Sequence, residues 1–452
     1  MHKAPEATWL SNPLAILGEN CAGGLVVSGN RIVELVSGGK KPVTQVSKVV
    51  DCSELVILPG LVNTHHHFYQ TLTRAHPDAI NKELFDWLKA LYPVWAKAVN
   101  RDSFRLATRL ALVELLMSGC TTSSDHHYVY PSGIDDAMDI QAEEAASLGM
   151  RMTLNRGSMD LSAKDGGLPP DSVVQDKDTI LADCERVISR YHDAGEGAMT
   201  QVALAPCSPF SVTRELMHET GDLARRCNCR LHTHLGETHD EDAYCIEKFG
   251  CRPVDYLEEN GWLEDRTWLA HGIHFDDGEI RRLGKAGVGV CHCPTSNMVL
   301  ASGTCRTRDL EAAGAPVGLG VDGSASNDSS NLMEGVRHAL MINRLAYGAA
   351  SVTHLDVLRW ATEGSARCLG RSDIGKIAVG KQADLAFFSL EELRFSGAGD
   401  PLAALVLCGA HRAERVMVAG KWRVLDGLPV GLDISRLRAE HGAAARAFVE
   451  LV

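Results

Sequence analysis

The sequence predicts an α/β chain with a closed (β/α)8 TIM barrel at its centre and a small β-sandwich built from both chain termini. Three observations predict it. Short apolar, β-rich segments alternate with amphipathic helices through eight units in about 320 residues. No phosphate-binding glycine turn follows the first unit, which argues against a doubly wound sheet. Both ends of the chain carry short strands and turns in place of β/α units.

The elements follow in order. Residues 1–58 contain Leu25-Val26-Val27, a Ser-Gly-Asn turn and Arg31–Val36, the pattern of a hairpin. Residues 56–62 read as the first barrel strand, ending in Asn63-Thr64-His65-His66-His67. Helices follow over 82–99 and 103–118, the second with Leu106, Leu110, Val113 and Met117 on one face. Further strands are expected at 121–125, 151–155, 201–205, 230–234, 267–271, 288–291 and 316–321. Helical periods such as 178–192, 214–226 and 277–286 lie between them. The C-terminal part returns to short strands at 383–388, 403–407 and 416–424. The expected division is 1–58 as the N-terminal part of the sandwich, 59–372 as the barrel and 373–452 as the C-terminal part. A glycine- and proline-containing stretch, 161–175, is either a lid or a long surface loop.

Charge and composition exclude several functions. The 452 residues hold 45 Lys and Arg against 58 Asp and Glu, a net charge of −13. Nonspecific binding to nucleic acid or to anionic lipid is therefore not expected, and a substrate related to a nucleobase would be the free base. No apolar run reaches the roughly 18 residues of a membrane span. The first twenty residues, with Pro5, Glu6, Pro13 and Glu19, lack the pattern of a secretion signal. Fourteen cysteines are dispersed, and Cys227-Asn228-Cys229 and Cys291-His292-Cys293 are too tightly spaced for a structural zinc clip. Reduced, mostly buried thiols in a cytoplasmic enzyme are expected. The expected assembly is a homo-oligomer.

Functional groups of such a barrel gather at the C-terminal ends of its strands. The first strand ends in His65-x-His67, whose period of two places both imidazoles on one side. The fifth ends in His232-Thr233-His234 followed by Glu237, the sixth in His271 and the eighth in Asp322. Read alone, the 65–67 triplet fits a surface cluster, His232 and His234 fit core histidines, and Asp322 fits a capping residue. Their recurrence at one end of successive strands points instead to a site for zinc or iron, with the remaining Glu and His free to move protons.

These motifs resemble the amidohydrolase superfamily. Pro59-Gly60-Leu61-Val62-Asn63-Thr64-His65-His66-His67 is similar to its first-strand signature. His234-Leu235-Gly236-Glu237 is similar to its fifth-strand His-x-x-Glu, Ala270-His271-Gly272 to the sixth-strand His, and Gly320-Val321-Asp322-Gly323 to the eighth-strand Asp. Asp373-Ile374-Gly375-Lys376 through Asp384-Leu385 resembles the return into the sandwich, so the likeness spans the chain. Binuclear members carry a bridging Lys or Glu at the end of the fourth strand. Here Ala203-Leu204-Ala205-Pro206-Cys207-Ser208-Pro209 offers neither, and the resemblance is to mononuclear deaminases. It implies one divalent metal, zinc before iron, held by His65, His67, His234 and Asp322. Glu237, His271 and Asp322 are then the proton-transfer groups. His232 is expected deeper in the barrel, His66 pointing away from the metal, and His274 beyond the strand end.

The resemblance implies that water activated by the metal attacks the amine-bearing carbon of a heterocycle and that ammonia leaves. Glu237 would carry a proton from the water to the adjacent ring nitrogen and contact the substrate. His271 would stabilise the developing oxyanion, and Asp322 would relay the second proton. Gln70 stands where guanine deaminases carry a Gln that reads the purine edge. Phe68, Tyr69, Trp87, Tyr92 and Trp95 are either an aromatic wall or core, with Trp87 the expected substrate contact. One imidazole of Asp125-His126-His127-Tyr128, His127 being the candidate, is also expected at the substrate. The blocks 65–74, 123–128 and 293–298 resemble bacterial 8-oxoguanine deaminases, relatives of the hydroxyatrazine hydrolases. That likeness implies 8-oxoguanine converted to urate and ammonia. The alternatives are guanine, isocytosine, S-adenosylhomocysteine-type or triazine substrates, with a non-enzymatic scaffold set aside because no expected ligand is missing.

Overall fold

The computed structural model describes residues 6–450. In chain order, the first strands are β1 (Ala7–Ser11), β2 (Ala15–Ile16), β3 (Gly24–Ser28), β4 (Arg31–Val36), β5 (Lys48–Asp51) and β6 (Leu55–Pro59). The central strands are β7 (Leu61–Asn63), β8 (Cys120–His127), β9 (Arg151–Ser158), β10 (Thr200–Pro206), β11 (Arg230–Leu235), β12 (Thr267–His271), β13 (Gly289–His292) and β14 (Val317–Leu319). Four more, β15 (Leu385–Ser389), β16 (Arg415–Val418), β17 (Lys421–Leu425) and β18 (Leu428–Pro429), follow near the C-terminus.

Strands β7 to β14 pair in sequence order, each parallel to the next, with helices on the outside. The ring closes just past the strands. Thr64 N–H donates to Leu319 O at 3.1 Å, and Asp322 N–H donates to His65 O at 3.1 Å. Closure therefore sets Asp322 beside His65. This is the (β/α)8 barrel that the alternating pattern predicts.

The remaining strands form two sheets, ordered β4-β3-β1-β5 and β18-β17-β16-β15-β6-β2. The second joins both termini, because β6 runs antiparallel to β15 in the register Ser389↔Leu55 to Leu385↔Pro59. Leu10, Leu25, Val27, Ile57, Phe387 and Met417 fill the space between the sheets. The barrel is tied to this layer by a buried ion pair. Arg151 Nε lies 2.6 Å from Asp384 Oδ2 and its Nη2 3.1 Å from Oδ1, while Gln382 Oε1 and Gly197 O accept its other N–H groups.

Three expected elements differ. The strand read over 56–62 is divided at Gly60, with one half in the sandwich and the other in the barrel. Both halves are fully buried, so periodicity cannot separate them. Gly60 marks the break because a Cβ there would lie 2.2 Å from Thr121 Oγ1. Residues 403–407 are helical: Asp400 caps Pro401–Ala404 by accepting from Ala403 N–H at 2.9 Å. Finally, the C-terminal helix Ile434–Glu450 leaves the sheets and packs on the helix Arg101–Met117 and the turn Phe68–Thr73. His441 Nε2 lies 3.1 Å from Thr71 Oγ1 there.

All fourteen cysteines are free thiols, most of them buried. Among the described residues, no helix is long and apolar enough to cross a membrane.

Candidate active site

The strand ends bring four side chains to one point. Asp322 Oδ1 lies 3.3 Å from both His65 Nε2 and His67 Nε2. His234 Nε2 lies 3.2 Å from His67 Nε2. Tetrahedral zinc with bonds of about 2.0–2.1 Å requires its ligand atoms to stand about 3.3 Å apart, and these three separations match that value.

Hydrogen bonds behind the imidazoles select the required tautomer. His67 Nδ1–H donates to His126 O at 2.7 Å, and His234 Nδ1–H donates to Cys207 O at 2.7 Å. Each bond leaves an Nε2 lone pair facing the centre. Burial holds His65, His67 and His234 below the ordinary imidazole range, which keeps them neutral and able to bind a cation. The donor set therefore suits a divalent metal by distance, by charge and by lone-pair direction.

Beside these groups stand Glu237 and His271. Glu237 Oε2 is 3.4 Å from His271 Nε2, which is 3.9 Å from Asp322 Oδ2. Burial pushes the Glu237 carboxyl up to about 7, near the value suited to a group that takes and returns a proton. Burial disfavours charge on His271, but the Glu237 and Asp322 carboxylates outweigh it and raise its pKa. Asp322 is also pushed up by burial, yet His65, His271 and His67 hold it well below the carboxylate range. His271 and Asp322 adopt positive φ, 71° and 66°. Left-handed backbone at non-glycine residues costs on the order of 1–3 kcal/mol each, and the surrounding packing retains it where the side chains must converge.

A cleft with about 400 Å³ of empty space lies over this centre. His67, His234, Glu237, His271 and Asp322 form its floor, and Gln70, Trp87, Tyr92, Tyr128 and Phe210 are among its walls. Gln70 and Trp87 thus both line the cleft. Both also grip the loop after β14. Gln70 Oε1 accepts from Ala325 N–H at 3.3 Å, and Trp87 Nε1–H donates to Ala325 O at 3.1 Å. Gln70 Nε2 is buried without a partner. Tyr92 joins the wall, whereas Phe68, Tyr69 and Trp95 belong to the core.

His127 is not brought to the cleft. Its ring packs against Phe104, Tyr69 and Tyr130, on the outer side of β8. His126 points inward but lies behind the converging imidazoles, its ring stacked 4.8 Å from that of His234. Alternation along a strand made this outcome available, since His126 and His127 must face opposite ways. His66 turns away to Ser330 Oγ at 2.9 Å, and His274 bonds Ser302 O at 2.9 Å, outside the centre. Residues 161–175 form two short turns, Ala163–Asp165 and Asp171–Val173, and none of them lines the cleft among the described residues.

Two contributors, Asn297 and Glu241, escaped the sequence reading, and Asp125 entered it only as part of a polar cluster. Asn297 Oδ1 accepts from His271 Nδ1–H at 2.9 Å and aims that ring. Glu241 accepts the Gly236 and Glu237 N–H groups, each at 3.0 Å, and so holds the turn that presents Glu237. Asp125 accepts Phe68 N–H at 2.6 Å at the start of the turn that carries Gln70. Polar residues just beyond barrel strands were the available signal.

The comparisons agree with this geometry. The sequence pattern described as the amidohydrolase family matches residues 56–423. The chain is 60% identical to 8-oxoguanine deaminase of Pseudomonas aeruginosa, over 98% of this chain and 99% of that one. It is 39% identical to hydroxydechloroatrazine ethylaminohydrolase of Pseudomonas sp. strain ADP, over 88% and 84% of the two chains. The crystal structure of atrazine chlorohydrolase from Arthrobacter aurescens TC1, complexed with zinc, superposes with a TM-score of 0.90 at 30% identity. That match covers 97% of this chain and 99% of the other.

Proposed function

The chain belongs to the amidohydrolase family, and on that premise we propose that it hydrolyses 8-oxoguanine to urate and ammonia. The observation that carries the ring is the 60% identity to an 8-oxoguanine deaminase over nearly the whole of both chains. The geometry of the centre supports the chemistry.

Zinc is the ion we propose for His65, His67, His234 and Asp322, where it would lower the pKa of a coordinated water and so supply the nucleophile at neutral pH. Glu237 removes a proton from the attacking water and delivers it to the ring nitrogen beside C2, for which its raised pKa suits it. His271, aimed by Asn297 and protonated on both nitrogens under the pull of the Glu237 and Asp322 carboxylates, donates from Nε2 to the oxygen that becomes bonded to C2. Asp322 Oδ2, on the side of His271, receives the second proton and passes it to the departing amine. The C2–N bond then breaks, and one water and one base give one urate and one ammonia.

Gln70 supplies a selection rule. Its Oε1 accepts Ala325 N–H and is packed against Gly323, whereas Nε2–H is unpartnered and free for the substrate. A lone donor matches a ring carbonyl and mismatches an amino group at the same edge. Gln70→Ala is expected to lower kcat/KM for 8-oxoguanine by about 10- to 100-fold, the cost of a lost hydrogen bond in a buried site, while metal content stays at the wild-type level. Unchanged efficiency would remove Gln70 from the substrate.

The test of the proposal is a substrate panel. Metal-loaded protein is assayed with 8-oxoguanine, guanine, isocytosine and hydroxyatrazine, and every product is identified. The highest kcat/KM is expected for 8-oxoguanine. Preference for hydroxyatrazine would move the assignment to the triazine hydrolases, which the 39% identical relative makes the second reading.

A further inference from the structure

Two of the three imidazoles at the centre are oriented by main-chain carbonyls, and the third is not. His65 Nδ1 lies 2.8 Å from His232 Nε2. His232 Nδ1 lies 2.9 Å from Trp268 O, which can only accept, so His232 carries its proton on Nδ1 and presents a lone pair at Nε2. His65 must then donate from Nδ1, which leaves its own Nε2 lone pair facing Asp322 and the centre. The direction of the whole chain follows from one carbonyl oxygen.

The surroundings leave His232 little freedom. Its ring is stacked 4.4 Å from that of Trp268, at an interplanar angle of 16°. The Trp268 indole N–H donates to Thr64 O at 3.1 Å, on the residue preceding His65. Trp268 thus holds the main chain at the ligand and the side chain behind it. His232 is fully buried and does not line the cleft, so it has no contact with substrate.

We propose that His232 is a positioning residue that sets the tautomer and ring orientation of His65 and thereby the metal affinity of the site. The proposal rests on the metal-site reading given above. A rival occupant is a second cation between His65, His126 and His232, whose nitrogens cluster. The 2.8 Å separation of His65 Nδ1 and His232 Nε2 is that of a hydrogen bond. It is shorter than the roughly 3.3 Å between ligand atoms around zinc.

The consequence is that this ligand's orientation, unlike that of His67 or His234, can be altered by a side-chain substitution. His232→Leu removes the acceptor at similar bulk, and His232→Gln restores one. Zinc affinity is measured by competition with a chromogenic chelator on proteins whose folding is checked by circular dichroism. The wild type is expected to bind one equivalent, the Leu variant to bind 10- to 100-fold more weakly, as for other partners behind metal ligands, and the Gln variant to recover most of that loss. Equal affinity in the Leu variant, or two equivalents bound by the wild type, would overturn the proposal.

Cobalt substitution of the unaltered protein tests it without any variant. Proton spectra in water should show three exchangeable, paramagnetically shifted signals, one from each ligand Nδ1–H. Two signals would show that the His65 Nδ1 proton is absent or exchanges freely with water, so that no bond to His232 holds it. A wild-type protein that binds no metal would remove the metal-site reading itself, a result distinct from either of these.

Discussion

Glu237→Gln is expected to turn over 8-oxoguanine roughly 10²- to 10⁴-fold more slowly than the wild type, the range for loss of a positioned proton carrier, while binding the same amount of metal. The substitution keeps shape and volume. It also keeps the two N–H bonds to Glu241, because these are made by the main chain of Gly236 and Glu237. What it removes is a carboxylate 3.4 Å from His271 Nε2 that burial has tuned to about 7. An amide cannot accept a proton from water and return it to the ring. Metal content separates this role from ligation, since the groups joined by the 3.2 and 3.3 Å separations, His65, His67, His234 and Asp322, do not include Glu237. A metal-replete variant within tenfold of wild-type turnover would show that protons move by another path.

Arg151→Met is expected to destabilise the fold by about 3–5 kcal/mol, the usual cost of leaving one member of a buried ion pair uncompensated. Arg151 and Asp384 are almost wholly inaccessible, at 0% and 1%. Without the guanidinium, Asp384 retains the N–H of Ala419 at 2.8 Å but no opposite charge. The carbonyl of Gly197 loses its donor as well, and that of Ala198 keeps only Arg371 Nη1 at 3.2 Å. The pair also links the floor of the barrel to the sandwich, so the loss is expected in the main unfolding transition. Denaturant unfolding of the single variant and of Arg151→Met with Asp384→Leu measures it. The double variant should recover most of the loss, because no unpaired charge remains buried. A single variant as stable as the wild type would contradict this account of the junction.

The centre was legible in the sequence because its chemistry needs residue types that stand out. His65, His67, His234, Glu237, His271 and Asp322 fall just where strands end, and a barrel gathers those ends in space. The rest depends on facts that residue type does not carry. His126 and His127 are chemically alike, and only the register of β8 decides that one faces the interior and the other Phe104. Residues 56–62 are equally apolar on both sides of Gly60, and the division between two sheets follows from the close approach of Thr121. Asn297 and Glu241 act on the site from the next turn of chain, through bonds that only the folded geometry reveals. Residue type alone does not say which half of the Gln70 amide is free. In the fold its Oε1 accepts Ala325 N–H and its Nε2 is left without a partner.

The most direct test of the central claim is the reaction itself, followed in ¹⁸O-labelled water with 8-oxoguanine and metal-loaded protein. The account predicts one ammonia per urate, one labelled oxygen in the urate at C2, and no reaction after the metal is removed with a chelator. Ammonia without urate, or unlabelled urate, would contradict hydrolytic attack at C2 and with it the roles assigned to Glu237, His271 and Asp322.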